Sequence, residues 1–218
     1  MPRNKYPEQT RRVILQTSER VFASRGYDNT KMQDIIDALE MEHNISKGAI
    51  YHHFKNKEAI LDSLLDEYYC SDEYDTILQD TTTTGLDKLK RCMGINSDIE
   101  FVKVAKLKIP RGALNTPYFL HSYINHNQKS LAPLITSLIE EGVQDGSIAC
   151  PSPKLAAELL LFVLIIWGNT MMFPLDEDEH KKKLHYIREL LLSIGLPILD
   201  DEAIDTLVKL DKIYNSLE

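Results

Sequence analysis

Apolar residues recur along this chain at spacings of three and four, and no segment keeps the two-residue alternation of a strand. From Arg11 to Arg25 the positions Val13, Ile14, Val21 and Phe22 mark one buried stripe, and Gly26 follows as a helix stop. Thr30 to Gln33 fits a capping box opening a second helix through Ile35, Ile36 and Leu39. A short third helix follows Ser46, with Ile50 and Phe54 four apart on its inner face. Beyond it the spacing predicts a long helix from Glu58 to about Leu78, with Leu61, Leu64, Leu65 and Tyr68 inward. Further helices are expected over Leu86–Lys108 with a break near Gly94, then Tyr118–Gln128, Leu131–Val143, Leu155–Phe173, Glu177–Ile194 and Asp201–Leu217. The polar run Asp80 to Gly85 and the Cys150-Pro151-Ser152-Pro153 segment read as connectors. The predicted fold is all-α, with a three-helix helix-turn-helix domain at 1–58 and a larger helical domain at 59–218.

The third helix carries the chemistry. Ser46 is placed to cap it, and its unpaired amides add partial positive charge toward a polyanion. Gly48 and Ala49 are small enough for the first turn to approach base edges closely. Lys47, Tyr51, His52, His53, Lys55 and Lys57 offer donors for phosphates or bases, and Asn56 is a cap for the next helix. An exposed amphipathic helix of this length is as often a plain solvated face; the two helices ahead of it favour a DNA reader.

With these residues in place the chain resembles the tetracycline-repressor (TetR-like) family of bacterial transcription regulators. The likeness covers roughly the first 65 residues: Val21-Phe22-Ala23, Gly26-Tyr27, Thr30, Asp34-Ile35-Ile36, and above all Ser46 through Glu58. It implies that Lys47, Gly48 and Ala49 approach bases, that Tyr51, His53 and Lys57 hold phosphates, and that Thr30 and Gln33 touch phosphate from the second helix. The chain departs from the family pattern at Glu40-Met41-Glu42-His43-Asn44, an insertion of roughly four residues. Two readings stay open: a loop projecting away from DNA, since its carboxylates would be repelled by phosphates, or a longer second helix.

The likeness also implies a larger domain that binds an effector and dimerises. For the dimer interface the candidates are Leu184, Ile187, Leu191 and Ile194, at seam spacing, with Leu159, Phe162 and Ile166 from the preceding helix. The alternative is that both stripes are internal core; the likeness favours dimerisation. Candidate effector-pocket residues are Met93, Phe101, Tyr118, Tyr123, Trp167 and Met171, which combine soft apolar surface with hydroxyl and indole donors. A two-fold dimer implies a palindromic operator with half-sites about one helical turn apart.

Charge sharpens this division. The net charge of the 218 residues is −8, yet residues 1–58 hold ten Lys and Arg against eight Asp and Glu, a balance of +2. The remainder therefore carries −10. A weakly basic reader joined to an acidic body suits DNA contacts that are positioned rather than smeared over a basic field. Cys70, Cys92 and Cys150 lie far apart with no paired motif, which fits a reducing compartment; with no signal peptide apparent, the cytoplasm is expected. The apolar core from Leu159 to Trp167 is too short to span a bilayer. His121 and His126, like His180 and His185, are five apart and do not share a face as a metal pair needs. No phosphate-cradling glycine loop or nucleophile motif occurs, so no enzyme, metal or cofactor is expected. The function expected is a ligand-responsive repressor acting as a homodimer on double-stranded DNA. The alternative is an all-α interaction or sensor module with little DNA affinity.

Overall fold

A computed structural model describes residues 7–69, 72–95 and 116–216, and these contain helices and turns but no strand. They divide into two compact units, one from Met1–Tyr68 with Lys108–Tyr123, the other from Tyr69–Leu107 with Ile124–Glu218.

The first unit begins with α1 (Pro7–Arg25), α2 (Met32–His43), α3 (Lys47–His53) and α4 (Lys57–Tyr69). Ile14, Leu15 and Phe22 of α1 are buried with Ile35, Ile36 and Leu39 of α2, Ile50 of α3 and Ile60 of α4. Ser18 shares that interior because its hydroxyl donates to the Ile14 carbonyl at 2.7 Å. Gly26 ends α1 at φ 79°, a conformation open to glycine. The capping box expected at Thr30 and Gln33 lies one residue later. Lys31 is the cap, and the Asp34 carboxylate accepts its backbone N–H at 2.7 Å. Thr30 is buried, and its hydroxyl turns back to the Gly26 carbonyl at 2.8 Å.

The second unit contains α5 (Asp72–Gln79), α6 (Gly85–Cys92), α8 (Ala132–Asp145), α9 (Pro153–Leu161), α10 (Glu177–Ser193) and α11 (Asp201–Ser216). Helix α7 (Pro117–His126) contributes its residues to Tyr123 to the first unit and the rest to the second. The helix expected to run unbroken from Glu58 to Leu78 is described only as α4 and α5, because residues 70 and 71 lie outside the described residues. The Leu86–Lys108 region is described only as far as Ile95, and it turns at Gly94 with φ 74°.

Helix α6 packs on α8 through glycines. A Cβ on Gly85 would stand 2.2 Å from the Gly142 nitrogen, so no larger residue permits this approach. The Gly85 N–H donates to Asp145 Oδ2 at 2.7 Å and the Leu86 N–H to Ser147 Oγ at 3.3 Å, which gives the start of α6 its acceptors.

Two wide π turns interrupt the helices of this unit. Asn127–Leu131 joins α7 to α8, just ahead of Pro133, whose ring cannot sit against an α-helical carbonyl four residues back. Phe162–Trp167 extends α9 and closes where the Gly168 N–H reaches the Val163 carbonyl at 2.7 Å. Among the described residues no helix is long and apolar enough to cross a membrane.

The seam expected on α10 needs correcting. Leu184, Ile187 and Leu191 are buried within this chain, where α10 packs on α11. Seam spacing fixes which residues share a face but not whose surface covers that face.

Candidate nucleic-acid interface

Helix α3 is held from within and open outside. Ile50 and Phe54 are buried, which anchors one face. The cap is as the sequence indicates: the Ala49 N–H donates to Ser46 Oγ at 3.4 Å. Asn56 likewise caps α4, accepting the Ala59 N–H at 2.9 Å. On the outer face Lys47, Gly48, Tyr51, His52 and Lys55 are exposed, with Ala49 half-buried. A Cβ built on Gly48 would meet nothing within 4 Å. Packing inside the protein therefore does not require glycine there, and close approach by a partner gives it a reason. Lys47 extends with its ammonium 6.0 Å from the Tyr51 ring. Lys47 and Tyr51 thus form one cationic, aromatic-backed surface.

The Glu40–Asn44 insertion takes the second of its two readings. Helix α2 runs on to His43 and closes at Asn44 in the left-handed region, φ 53°. Its carboxylates have internal partners. Glu42 pairs with Arg20 of α1, and Glu40 Oε1 accepts the Lys47 N–H at 3.2 Å. The extension therefore braces α2 against α1 and against the first residue of α3. Met41 stands clear at 81% exposure.

Gln33 is exposed at the start of α2, its amide donating to Asp37 at 2.6 Å. Three other candidates are turned inward. Thr30 is buried as described. His53 is half-buried, and its Nε2 is buried with no hydrogen-bond partner among the described residues. Burial first, and the neighbouring His52 second, push the His53 imidazole below its ordinary range, so it is neutral near pH 7.

Lys57 is engaged inside the protein. Its ammonium donates to the Tyr27 and Thr30 carbonyls at 2.8 and 2.9 Å and lies 4.3 Å from the Tyr27 ring. A phosphate contact would have to share an ammonium that already ties the α1–α2 turn to α4. No sequence signal disclosed this, because the partners lie 30 and 27 residues away.

Tyr27 is itself a junction that sequence reasoning passed over. It is 2% exposed, and its ring meets Phe22 at 5.1 Å, Tyr118 at 6.0 Å in a stack and Phe119 edge-on at 6.3 Å. Burial pushes its phenol well above the usual range, and the hydroxyl has no hydrogen-bond partner among the described residues. Beside it the Ser122 hydroxyl donates to Asp62 Oδ1 at 2.8 Å, so α7 is tied to α4 within this unit.

The residues expected to line an effector pocket are distributed over both units. Tyr118 and Tyr123 belong to the first unit, and Met93, Trp167 and Met171 to the second. Phe101 lies outside the described residues. Cys92 is buried, which pushes its thiol up to about 12 and leaves it protonated near neutrality. No group of three or more His, Cys, Asp or Glu among the described residues is placed to hold a metal ion.

Comparison with known proteins matches this architecture. The family model for bacterial regulatory proteins, tetR family, matches residues 14–64, which cover most of α1 through the first turns of α4. The HTH-type transcriptional repressor KstR2 of Mycolicibacterium smegmatis is 29% identical over 147 residues, 65% of this chain and 68% of that protein. The HTH-type transcriptional repressor Rv1474c of Mycobacterium tuberculosis is 29% identical over 181 residues, 83% of this chain and 90% of its own. Among solved structures, RolR in complex with resorcinol superposes with a TM-score of 0.59 at 18% identity, covering 94% of this chain and 95% of that one. Salmonella enterica GusR does so at 0.58 and 19% identity, covering 88% and 98%. These two likenesses concern the fold.

Proposed function

Because the chain is a TetR-like transcriptional regulator, a DNA-binding protein and not an enzyme, we propose that it acts in the cytoplasm as a homodimeric repressor. It occupies a palindromic operator and leaves it when a small molecule binds. Residues 1–58 serve as the DNA-binding domain, and residues 59–218 receive the effector and the second subunit. The observation that carries this reading is the outer face of α3. Lys47, Gly48 and Tyr51 stand free over an anchored, Ser46-capped turn, and in the acidic insertion beside them Glu42 pairs with Arg20 while Glu40 accepts the Lys47 N–H. Lys47, Gly48 and Ala49 take the bases, while Tyr51, His52, Lys55 and Gln33 take phosphates. Thr30, His53 and Lys57 hold the frame behind them.

An apolar strip supports dimerisation. Leu155 and Phe162 are 65% and 57% exposed on the stretch formed by α9 and its π turn, with Leu159 and Ile166 half-buried between and after them. This spacing follows one helical face, and a second copy laid on it removes the strip from water. In place of the internal α10 seam, the exposed Leu192 offers apolar surface on that helix. Release is routed through α7, whose first turns grip Tyr27 and Asp62 beside the reading helices. An effector shifts the balance only by binding the DNA-bound and released conformations with different affinity. Met93, Trp167 and Met171 of the second unit are the residues proposed to receive it.

Fluorescence anisotropy against duplexes from the DNA upstream of the protein's own gene tests the reading. Specific binding is expected to weaken steeply with salt and to require both half-sites. Lys47→Ala is expected to lower affinity and to relax base preference. Equal losses on operator and random duplex would remove Lys47 from base reading. Phe162→Glu is expected to yield monomers in light scattering, and an unchanged dimer would move the interface elsewhere.

A further inference from the structure

Lys183 of α10 is half-buried between two aromatic rings. Its ammonium lies 5.4 Å from the Trp167 ring and 5.2 Å from the Phe173 ring, and it donates to the Trp167 carbonyl at 3.1 Å. Tyr186, one turn further along α10, meets Trp167 edge-on at 6.1 Å. The enclosure is not closed, since Phe173 is 44% exposed and Tyr186 67%. Trp167 ends the π turn, so the carbonyl facing the ammonium belongs to the negative end of a helical segment. Glu179, one turn before Lys183 on the same helix, is exposed and adds negative charge nearby.

We propose that Trp167 and Phe173 form a cation-binding box in which Lys183 is the resident occupant, displaced by a methylated organic ammonium. Ring faces attract any cation, and the attraction is strongest for one that gives up little hydration. A primary ammonium is strongly hydrated and here keeps hydrogen bonding through one carbonyl. A trimethylammonium head has no N–H to satisfy, spreads its charge over methyl groups and fills the space between two rings more completely. Lys183 has a flexible four-carbon stem and an open side to swing toward. Displacing it exchanges one cation for another and leaves no charge buried without a partner. The proposal gives a ligand class to the effector reading and depends on that reading only for its regulatory meaning.

Trp167 is the one tryptophan in the 218 residues, so its emission reports on the box directly. The intact protein is titrated with choline and, separately, with 3,3-dimethyl-1-butanol, which has the same shape without the charge. A saturable change with choline and none with the alcohol is expected. Lys183→Met removes the resident cation and keeps an apolar stem, and choline affinity is expected to rise about tenfold, as for a site freed from a state that fills it nine-tenths of the time. Lys183→Arg keeps a resident cation and is expected to bind choline no more tightly than the parent. Phe173→Leu, at a part-exposed ring, is expected to weaken choline about threefold.

Equal response to choline and the alcohol, no saturable change with choline in either the parent or Lys183→Met, or unaltered choline affinity in Lys183→Met would overturn the box. DNA anisotropy in the presence of choline separates the two readings. Choline that binds at Trp167 without releasing DNA removes it as an effector and leaves the box standing, whereas absence of binding leaves the DNA-binding function untouched.

Discussion

The two units tie distant parts of the chain together by opposite means. In the first unit a charged side chain makes the tie: Lys57 reaches back across 27 and 30 residues to two backbone carbonyls and the Tyr27 ring. In the second, bare backbone makes it, since Gly85 and Gly142 approach so closely that not even a methyl group fits between α6 and α8. The difference extends to one cation over an aromatic ring in each unit, Lys57 and Lys183. The ring under Lys57 is 2% exposed, while Lys183 sits against rings left part-open to solvent. A closed clamp of charge and carbonyls suits the proposed role of the first unit, which is to hold a fixed reading surface. An open one suits a unit whose occupant can change.

The largest expected effect comes from the backbone tie. Gly85→Val places branched carbon where Gly142 backbone already stands, with neither helix free to give way at a flexible side chain. Overpacking of a buried crossing costs about 3 kcal/mol, and backbone against backbone belongs at or above that. Urea denaturation of the variant is expected to show a strongly lowered midpoint. Gly85→Ser, smaller but still carrying a Cβ, is expected to fall between variant and parent. A parent-like midpoint for Gly85→Val would mean that α6 and α8 do not touch here in solution.

Breaking the charged tie costs less and reads out twice. Lys57→Met keeps the stem over Tyr27 and removes two hydrogen bonds from a charged donor, at about 2 kcal/mol in total, since the freed carbonyls can regain water at a part-exposed site. Operator affinity is expected to fall because the α1–α2 turn loosens. The salt dependence, as the slope of log affinity against log salt, is expected to stay as in the parent. A cation lost from phosphate lowers that slope by about 0.9. Such a drop in Lys57→Met would place the ammonium on DNA and not inside the protein.

The same contrast sets what the chain disclosed before its structure was known. The Ser46 cap, the buried pair Ile50 and Phe54, and the Asn56 cap all act within four residues, so the reading helix was legible from local chemistry. Gly26 ends a helix for a similarly local reason. What escaped was decided at long range. Lys57 looks like any exposed phosphate ligand until its carbonyl partners are placed beside it. Leu184, Ile187 and Leu191 have the spacing of an intersubunit seam, but they are buried within this chain. Thr30 has the right residue type for a cap and was outcompeted because its side chain is needed in the core. A glycine at the head of α6 reads as a helix stopper, and only the crossing explains it.

The smallest expected effect tests one polar contribution to the backbone tie. The Asp145 carboxylate accepts the Gly85 N–H at 2.7 Å and the Ser147 N–H at 2.9 Å. The Ser147 hydroxyl, then the Gly85 and Ser147 amides and the Lys88 charge, hold its carboxyl below the usual range. Its folded value is depressed, so the stability it adds is fully present above the unfolded value of about 3.9 and is lost as pH falls through the folded one. Asp145→Asn keeps one acceptor oxygen but no charge. Its melting temperature is expected to lie a little below the parent's at pH 7, and the gap should close as pH drops below about 4. The Lys57 clamp carries no carboxylate, so the gap between Lys57→Met and the parent is expected to hold constant over the same range. If the Asp145→Asn gap were equally constant, the Asp145 charge would add nothing to the hold of α6 on α8.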